Sequence, residues 1–317
     1  MDRSLLLLVG QILDAVVGEP DAVWKRVPHP VVIIGKMIER LDAAWNREGE
    51  TDGVRKAWGV AALGVVMVSA MAVGAVIEGL GARLPFGELL VAMVVGVMLA
   101  QRSLHDHVLA VAEGLERGGL AGGRDAVRMI VGRDPNALDE AGVARAAIES
   151  TAENLSDGVI APAFWFLVAG LPGLLAYKAL NTADSMIGHR TPRHEAFGWA
   201  AARLDDVANW PAARLCAGLT VAAAWSVGLD WREAWQAPLR DAGKHRSVNA
   251  GWPEAAFAGA LGLRLAGPRH YAGSRVEDAW MGAGREAASA ADIRLSLRLM
   301  VRCCFALGAL TALSALI

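Results

Sequence analysis

Residues 57–77 read AWGVAALGVVMVSAMAVGAVI, an uncharged stretch with the length of one bilayer crossing. A helix rises about 1.5 Å per residue, so about 20 mostly apolar residues span a hydrocarbon core. The Gly and Ala in this stretch let helices approach closely where lipid, as apolar as Leu, supplies no other drive to associate. Working outward, Phe86–Leu104 is a second candidate span, with Glu88 and Arg102 near its ends. Ser4–Val17 and Leu215–Leu229 are apolar but short, and Asp14 interrupts the first of them. Leu299–Ile317 carries Arg302 close enough to its end to snorkel. Val159–Tyr177 contains Pro162 and the run Gly170-Leu171-Pro172-Gly173, which free backbone groups that lipid cannot satisfy. A broken or re-entrant helix is the expectation there. The fold class is therefore all-α, a polytopic helical membrane protein of roughly four to six spans, treated as one domain over residues 1–317, with helical polar segments forming a site at the membrane face.

Composition agrees. Hydrophobic residues make up 54% and charged ones 20% of the 317 residues, below the about 25% charged of soluble domains. Lys plus Arg number 31 against 33 Asp plus Glu, so no basic excess points to nucleic acid. Cys216, Cys303 and Cys304 lie in apolar segments and form neither a disulfide framework nor a zinc pattern. The start, with one basic residue and Asp14 in its apolar run, reads as an uncleaved first span and not a signal peptide. Residues 18–56, 101–157 and 230–298 hold seven, six and ten Lys/Arg, and the connection 78–85 only Arg83. The positive-inside rule places the three long segments on the cytoplasmic side. The Arg-rich 178–212 fits strict alternation only if 159–177 does not cross.

Chemistry-bearing residues crowd into 147–213 and 241–254. Glu149, Glu153 and Asp157 recur at i, i+4 and i+8, so a regular helix puts three carboxylates on one face. Like charges at that spacing repel, and either water or a cation must relieve them. Lys178, Asn181, Thr182, Asp184, Ser185, Gly188, His189 and Arg190 follow directly on an apolar run. Lys178 suits snorkelling and Asn181 a cap; Asp184 and Ser185 beside Gly188 suit a polar pocket. Arg203, Asp205, Asp206 and Asn209 form an Asp-Asp-x-x-Asn arrangement with a preceding Arg, which suits Mg²⁺ on the carboxylates and a phosphate on the guanidinium. Lys244, His245, Arg246, Ser247 and Asn249 occupy a Gly-punctuated loop fit to hold phosphate, although Asn249 also suits a cap. His29, held between Pro28 and Pro30, is a further candidate. Neither a P-loop nor a dinucleotide-binding glycine fingerprint is present, so a nucleotide would bind outside those schemes.

The blocks DAVVGEP, PHPVVIIG, ESTAENLSDGVIAPAFWF, NTADSMIGHR, FGWAAARLDDVANWPAARL and DAGKHRSVNAGWPEAAFAGALG, with the Gly267–Gly273 region, occur in the order seen in the CobD/CbiB family, which the chain resembles over nearly its whole length. Val248 departs from the proline expected of the pattern. The resemblance implies a late step of cobalamin biosynthesis: joining a propionate carboxylate of adenosylcobyric acid to (R)-1-amino-2-propanol or its O-phosphate. It implies ATP and Mg²⁺ as cosubstrates, no bound organic cofactor, and other pathway enzymes of the membrane as partners. On that reading Glu149, Glu153, Asp157, Asp205 and Asp206 serve metal and amine, with Asp184 and Asn209 beside them. Arg203, Lys244, Arg246, Lys178, Arg190, Ser247 and His29 hold phosphate or substrate, His245 or His189 is the base, and Asn154, Asn181 and Asn249 bind corrin amides. Two other classes remain open on the residues: a corrinoid transporter, for which Asp14, Glu88 and a broken span speak, and a non-catalytic AmpE-like scaffold or sensor.

Overall fold

The uncharged stretch forms the centre of a helix longer than itself. The computed structural model describes all residues except Met1, Gly132, Arg133, Ala272, Gly273, Glu277 and Ile317, and only the backbone of Asp21 and of residues 269–271 and 274–276. Gly273, which closes one of the blocks quoted above, and Ile317 thus lie outside the described residues. In chain order the helices are α1 (Arg3–Val17), α2 (Asp21–Trp24), α3 (Pro30–Trp45), α4 (Asp52–Gly81), α5 (Gly87–Met98), α6 (Gln101–Val127), α7 (Glu140–Leu155), α8 (Ala161–Ile187), α9 (Trp199–Ser226), α10 (Trp231–Asp241), α11 (Gly251–Leu261) and α12 (Ala290–Ser314). Four helical stretches, Asp52–Gly81, Gly87–Val127, Glu140–Ile187 and Ala290–Ser314, are long and apolar enough to cross a membrane. The protein is an all-α polytopic membrane protein. Its residues divide into two compact units: Met1–Leu99, Ala161–Asn209 and Ser314–Ile317 in one, Ala100–Ile160 and Trp210–Leu313 in the other.

In the first unit α4 buries one face that includes Gly59, Ala62, Leu63, Val66, Ala70 and Gly74. Val60, Val68, Val73 and Val76 face outward, an arrangement suited to lipid. A Cβ at Gly59 would collide with the Phe197 carbonyl, and one at Gly74 with the backbone of Leu171 and Pro172 in α8. Gly10 of α1 and Gly96 of α5 meet in the same way, Gly96 lying against the Gly10 carbonyl. Glycine is what lets these helices touch backbone to backbone.

The interruption expected within 159–177 is present as a kink in α8 at Ala169 and Gly170, the latter at φ +66°. Pro172 has no N–H, so the carbonyl four residues earlier, Val168, loses its helical donor. Arg3 supplies the replacement: its Nη1 donates to Val168 O at 3.1 Å and to Leu167 O at 3.5 Å. Gly170 is pressed against the Glu78 carboxylate of α4, where a side chain would not fit. Phe86–Leu104, read as a candidate span, lies almost wholly within the crossing-capable stretch Gly87–Val127, but the helix is broken inside it. Its helix ends at Met98, Leu99 is extended, and α6 begins at Gln101.

In the second unit α6 turns at Gly119 (φ +57°), and α7 passes through a π-helical turn at Ser156–Ile160. Gly262, left-handed, ends α11. The helical expectation then fails: β1 (Leu265–Ala266), β2 (Arg269–Tyr271), β3 (Ser274–Val276) and β4 (Trp280–Met281) form antiparallel pairs β1–β4 and β2–β3. Positive φ at Ala266 (+60°) and Gly267 (+74°) turns the chain there, which no helix accommodates. Cys216, Cys303 and Cys304 are free thiols, the first two buried, as expected of packing residues.

Gly59→Ala should destabilise the detergent-solubilised protein by about 1–3 kcal/mol, the usual cost of overpacking, whereas Gly64→Ala, which meets no neighbour, should be neutral or stabilising by up to about 1 kcal/mol. Parallel thermal melts compare the two. Arg3→Leu should cost about 1–3 kcal/mol by stripping the kink carbonyls of their donor, and should raise amide exchange around residues 167–172 measured by mass spectrometry.

Candidate functional site

The last turns of α8 and the first half of α9 bring together the strongest group of candidates. Tyr177 donates its hydroxyl to Asn209 Oδ1 at 2.7 Å, and Asn209 Nδ2 donates to Asp205 Oδ2 at 2.8 Å. Trp165 Nε1 donates to the Ala208 carbonyl and closes α8 against α9. These bonds fix the amide of Asn209 and hold Asp205 inward, where it is buried. Its Oδ1 is enclosed and accepts no hydrogen bond among the described residues. Asp205 precedes the apolar part of α9, so it sits outside the candidate spans. Burial raises its pKa first, Asp184 and then Asp206 add to the rise, and the amides of Asn209 and Asn181 offset part of it. The result is a carboxyl that titrates at about 7.

Asp184 interacts electrostatically with both Asp206 and His189. Gly188, whose N–H donates to the Asp184 carbonyl at 2.7 Å, has no room for a Cβ beside the Asp184 carboxylate. The glycine of the NTADSMIGHR block therefore keeps that carboxylate in place. Arg203 pairs with Asp206 at 3.3 Å on the exposed side, and His189 and Arg190 are exposed next to it in sequence. The loop 188–198 is clamped by residues that sequence reading passed over. Arg193 binds Asp42 at 2.8 Å, Asn46 bridges Asp42 and the Arg193 carbonyl, and buried Arg55 donates to Asn46 and to that same carbonyl. Burial would raise the Asp42 pKa, but hydrogen bonds from Asn46 and Arg193 outweigh it and hold the carboxyl below its ordinary value. In sequence this clamp is scattered single polar residues, and only the fold joins them.

His29 caps α3, its Nδ1 accepting the Val31 N–H at 3.3 Å, and its ring stands edge-on to Trp24 at 4.6 Å. Burial lowers its pKa and the nearby Lys178 lowers it further, against the opposing pull of Glu19 and the Val97 carbonyl. His29 is thus neutral at pH 7 and close to Lys178, which stands one helical turn before Asn181 and Thr182.

The second unit holds the other candidates, most of them engaged within it. Glu149 is buried and accepts the Ala266 N–H at 2.8 Å, so it braces the strained turn at Ala266. Glu153 is exposed, and Asp157 lies in the π-helical turn. Glu149 and Glu153 keep the four-residue spacing of a regular helix, the first buried and the second exposed, and the expected third member, Asp157, is taken out of that register by the wider π turn. Asn154 donates to Ser150. Asp241 gathers Arg240, Lys244 at 2.8 Å and the Gly282 N–H; burial would raise its pKa, and these bonds hold it low instead. His245 Nδ1 faces the Ser247 N–H at 3.0 Å and its Nε2 faces the buried Glu254 at 3.6 Å. Ser247 Oγ accepts the N–H groups of Asn249 and Ala250. Asn249 Oδ1 takes Arg214, whose guanidinium lies between Trp210 and Trp252 at 4.6 and 4.7 Å. Arg246 is exposed, 3.9 Å from Asp278. Tyr177, Asp241, Arg214 and Glu254 had no assigned role in the sequence, although a tyrosine in an apolar helix and a glutamate in the first turn of α11 were visible signals.

A metal would find oxygen donors at Asp184, Asp205 and Asp206, the donor set of a hard cation. Among the described residues no three His, Cys, Asp or Glu side chains are grouped at metal-binding distance. The enclosed Oδ1 of Asp205 fits a cation that brings most of its own ligands, as Mg²⁺ on phosphates does.

The class this defines is a helical membrane protein with a buried, near-neutral carboxyl beside two more carboxylates. The family model described as CobD/Cbib protein matches residues 7–300. The chain is 54% identical over 307 residues to "Cobalamin biosynthesis protein CobD" of Rhizobium meliloti, covering 95% of this chain and 93% of that one. A like-named protein of Brucella anthropi is 50% identical over 306 residues (94% and 92%), and one of Rhodobacter capsulatus 48% over 303 (95% and 94%). No solved structure matches. The chain belongs to the CobD/CbiB family of cobalamin-biosynthesis proteins.

An Asp whose pKa is raised in the folded state binds its extra proton between the unfolded value, about 4, and about 7. That contribution to stability is complete below pH 4 and lost as pH rises through 7. Asp205→Asn should therefore gain stability relative to the native chain between pH 5.5 and pH 8.5. Melting temperatures that fall in parallel for both proteins would show an ordinary carboxyl.

Proposed function

We propose that this protein is the amide-forming ligase that converts adenosylcobyric acid to adenosylcobinamide or its phosphate, joining a corrin propionate to (R)-1-amino-2-propanol or its O-phosphate. Its names as an enzyme would be adenosylcobinamide-phosphate synthase and carbon–nitrogen ligase, set in the bacterial inner membrane with the site toward the cytoplasm. The observation that supports this best is the buried carboxyl of Asp205, titrating at about 7 beside Asp184 and Asp206.

The reaction has two obstacles. A carboxylate is a poor electrophile, and an amine at neutral pH is protonated. Phosphorylation of the propionate at the expense of ATP removes the first, giving an acyl phosphate whose phosphate leaves as the C–N bond forms. Mg²⁺ brought in on the phosphates would be met by the carboxylates of Asp184 and Asp206 and would neutralise phosphate charge. The acidic group also attracts the substrate ammonium, and Asp205, with its proton affinity matched to neutral pH, takes the ammonium proton so that the lone pair can attack. Tyr177 and Asn209 hold Asp205 in one orientation for that transfer. Arg203, which pairs with Asp206, and His189, which interacts with Asp184, would supply cations to phosphate oxygens, with Arg190 following His189 in the chain. Lys178 and the neutral His29 offer a second donor pair for a substrate carboxylate or phosphate. The amide of Asn181, on the same unit as Asp205, would meet a propionamide of the corrin.

Purified protein in detergent with adenosylcobyric acid, ATP, Mg²⁺ and each amine in turn should yield the amide, read by mass. Asp205→Asn should lower its rate by about 10²- to 10⁴-fold, the usual worth of a positioned acid–base group. A native protein that makes no amide but accumulates corrinoid in proteoliposomes would replace the ligase with the transporter. Native and Asp205→Asn proteins that support cobinamide formation equally in cells would point to a scaffold.

A further inference from the structure

α10 has 11 residues, and at about 1.5 Å per residue it is roughly half as long as a hydrocarbon core is thick. One face is closed: Ala234, Ala237, Pro238 and Asp241 are buried, and the Glu233 carbonyl lies so close to Gly259 of α11 that no Cβ fits between them. The other face carries Trp231, Trp235 and Leu239, spaced four residues apart and 40%, 55% and 62% exposed. The apolar part of α9 ends immediately before this helix. Trp225 is exposed there, Gly228 turns left-handed (φ +73°), the Leu229 N–H returns to the Ala224 carbonyl at 2.9 Å, and Asp230 caps α10 by accepting the Glu233 N–H at 2.9 Å. The chain thus leaves an apolar helix by a sharp turn and enters a short helix with an aromatic stripe.

We propose that α10 lies flat in the interfacial layer of the bilayer, its Trp231–Trp235–Leu239 stripe in the acyl boundary and its charged residues among the headgroups. Tryptophan is favoured at that depth because its ring is apolar and its N–H polar. Arg232, stacked 5.1 Å from the Trp231 ring, extends toward the headgroups as cations beside interfacial aromatics do. The charged Arg232, Glu233 and Arg240 forbid deeper insertion. Three part-exposed side chains fall well short of the roughly 800 Å² per partner of a stable protein interface, so lipid and not a second copy covers them. Because Asp241 at the end of α10 also holds Lys244 and the Gly282 N–H, the helix fixes the basic loop 242–250 at the membrane surface.

The test places a nitroxide at Trp235→Cys, and separately at Leu239→Cys and Gln236→Cys, in full-length protein with Cys216, Cys303 and Cys304 replaced by Ala. The protein is embedded in nanodiscs of phosphatidylcholine and phosphatidylglycerol, and relaxation by oxygen is compared with relaxation by a water-soluble nickel chelate. Labels at 235 and 239 should be oxygen-accessible at a depth of about 5–10 Å, and the label at 236 shallower. Labels at 235 and 239 as exposed to the nickel chelate as the label at 236 would overturn the proposal, and so would shielding of both from either relaxant, which would mean that protein covers the stripe. Labels at 235 and 239 report independently, so loss of one variant leaves the other decisive, and neither depends on the ligase reading.

Discussion

A backbone inside a bilayer must close its own hydrogen bonds, and this protein meets that demand where it is hardest, at the kink of α8. Gly170 and Pro172 open the helical ladder at Leu167 and Val168, and Arg3 from α1 donates to both freed carbonyls. The kink is also wedged by Glu78 of α4 and by the backbone contact at Gly74. Beyond it, the last turns of α8 carry Tyr177, Lys178, Asn181 and Asp184. The placement of these residues is set by how the break upstream is resolved.

The two polar groupings differ in what they leave unmet. In the 241–254 segment nearly every polar side chain has found a partner within the same unit: Lys244 and Arg240 on Asp241, His245 beside Glu254, Ser247 on two backbone N–H groups, Arg214 on Asn249. Such a network specifies a shape. In the 181–209 segment three carboxylates interact and one of them is buried with an enclosed oxygen. That is an electrostatic cost carried in the resting protein, and positive charge brought beside the carboxylates would relieve it.

Much of the fold could be read in the residues, because span length and charge absence are one-dimensional properties: 57–77 falls within α4, residues 299–314 of the last expected span lie in α12, and Gly170 with Pro172 marked the break. The division of 86–104 could not be read, since Leu99 and Ala100 are ordinary apolar residues and the break depends on where the Ala100 N–H finds the Gly158 carbonyl. The π-helical turn at 156–160 was equally silent, and with it went the shared face of Glu149, Glu153 and Asp157. Within the site, Asp184, Asp205, Asp206 and Asn209 were visible as polar residues against apolar runs. What the spacing did not contain was their inequality: that Asp205 is the buried one follows from Tyr177 and Trp165, which reach α9 only through tertiary packing.

The bond from Arg3 to Val168 joins residues 165 positions apart, and synthesis runs from the N-terminus. The guanidinium is therefore already in the membrane when the ribosome delivers α8. A helix containing Gly170 and Pro172 need never wait in lipid with open carbonyls, because the earlier segment acts as a docking post for the later one. The order of insertion thereby becomes part of how a broken span is tolerated.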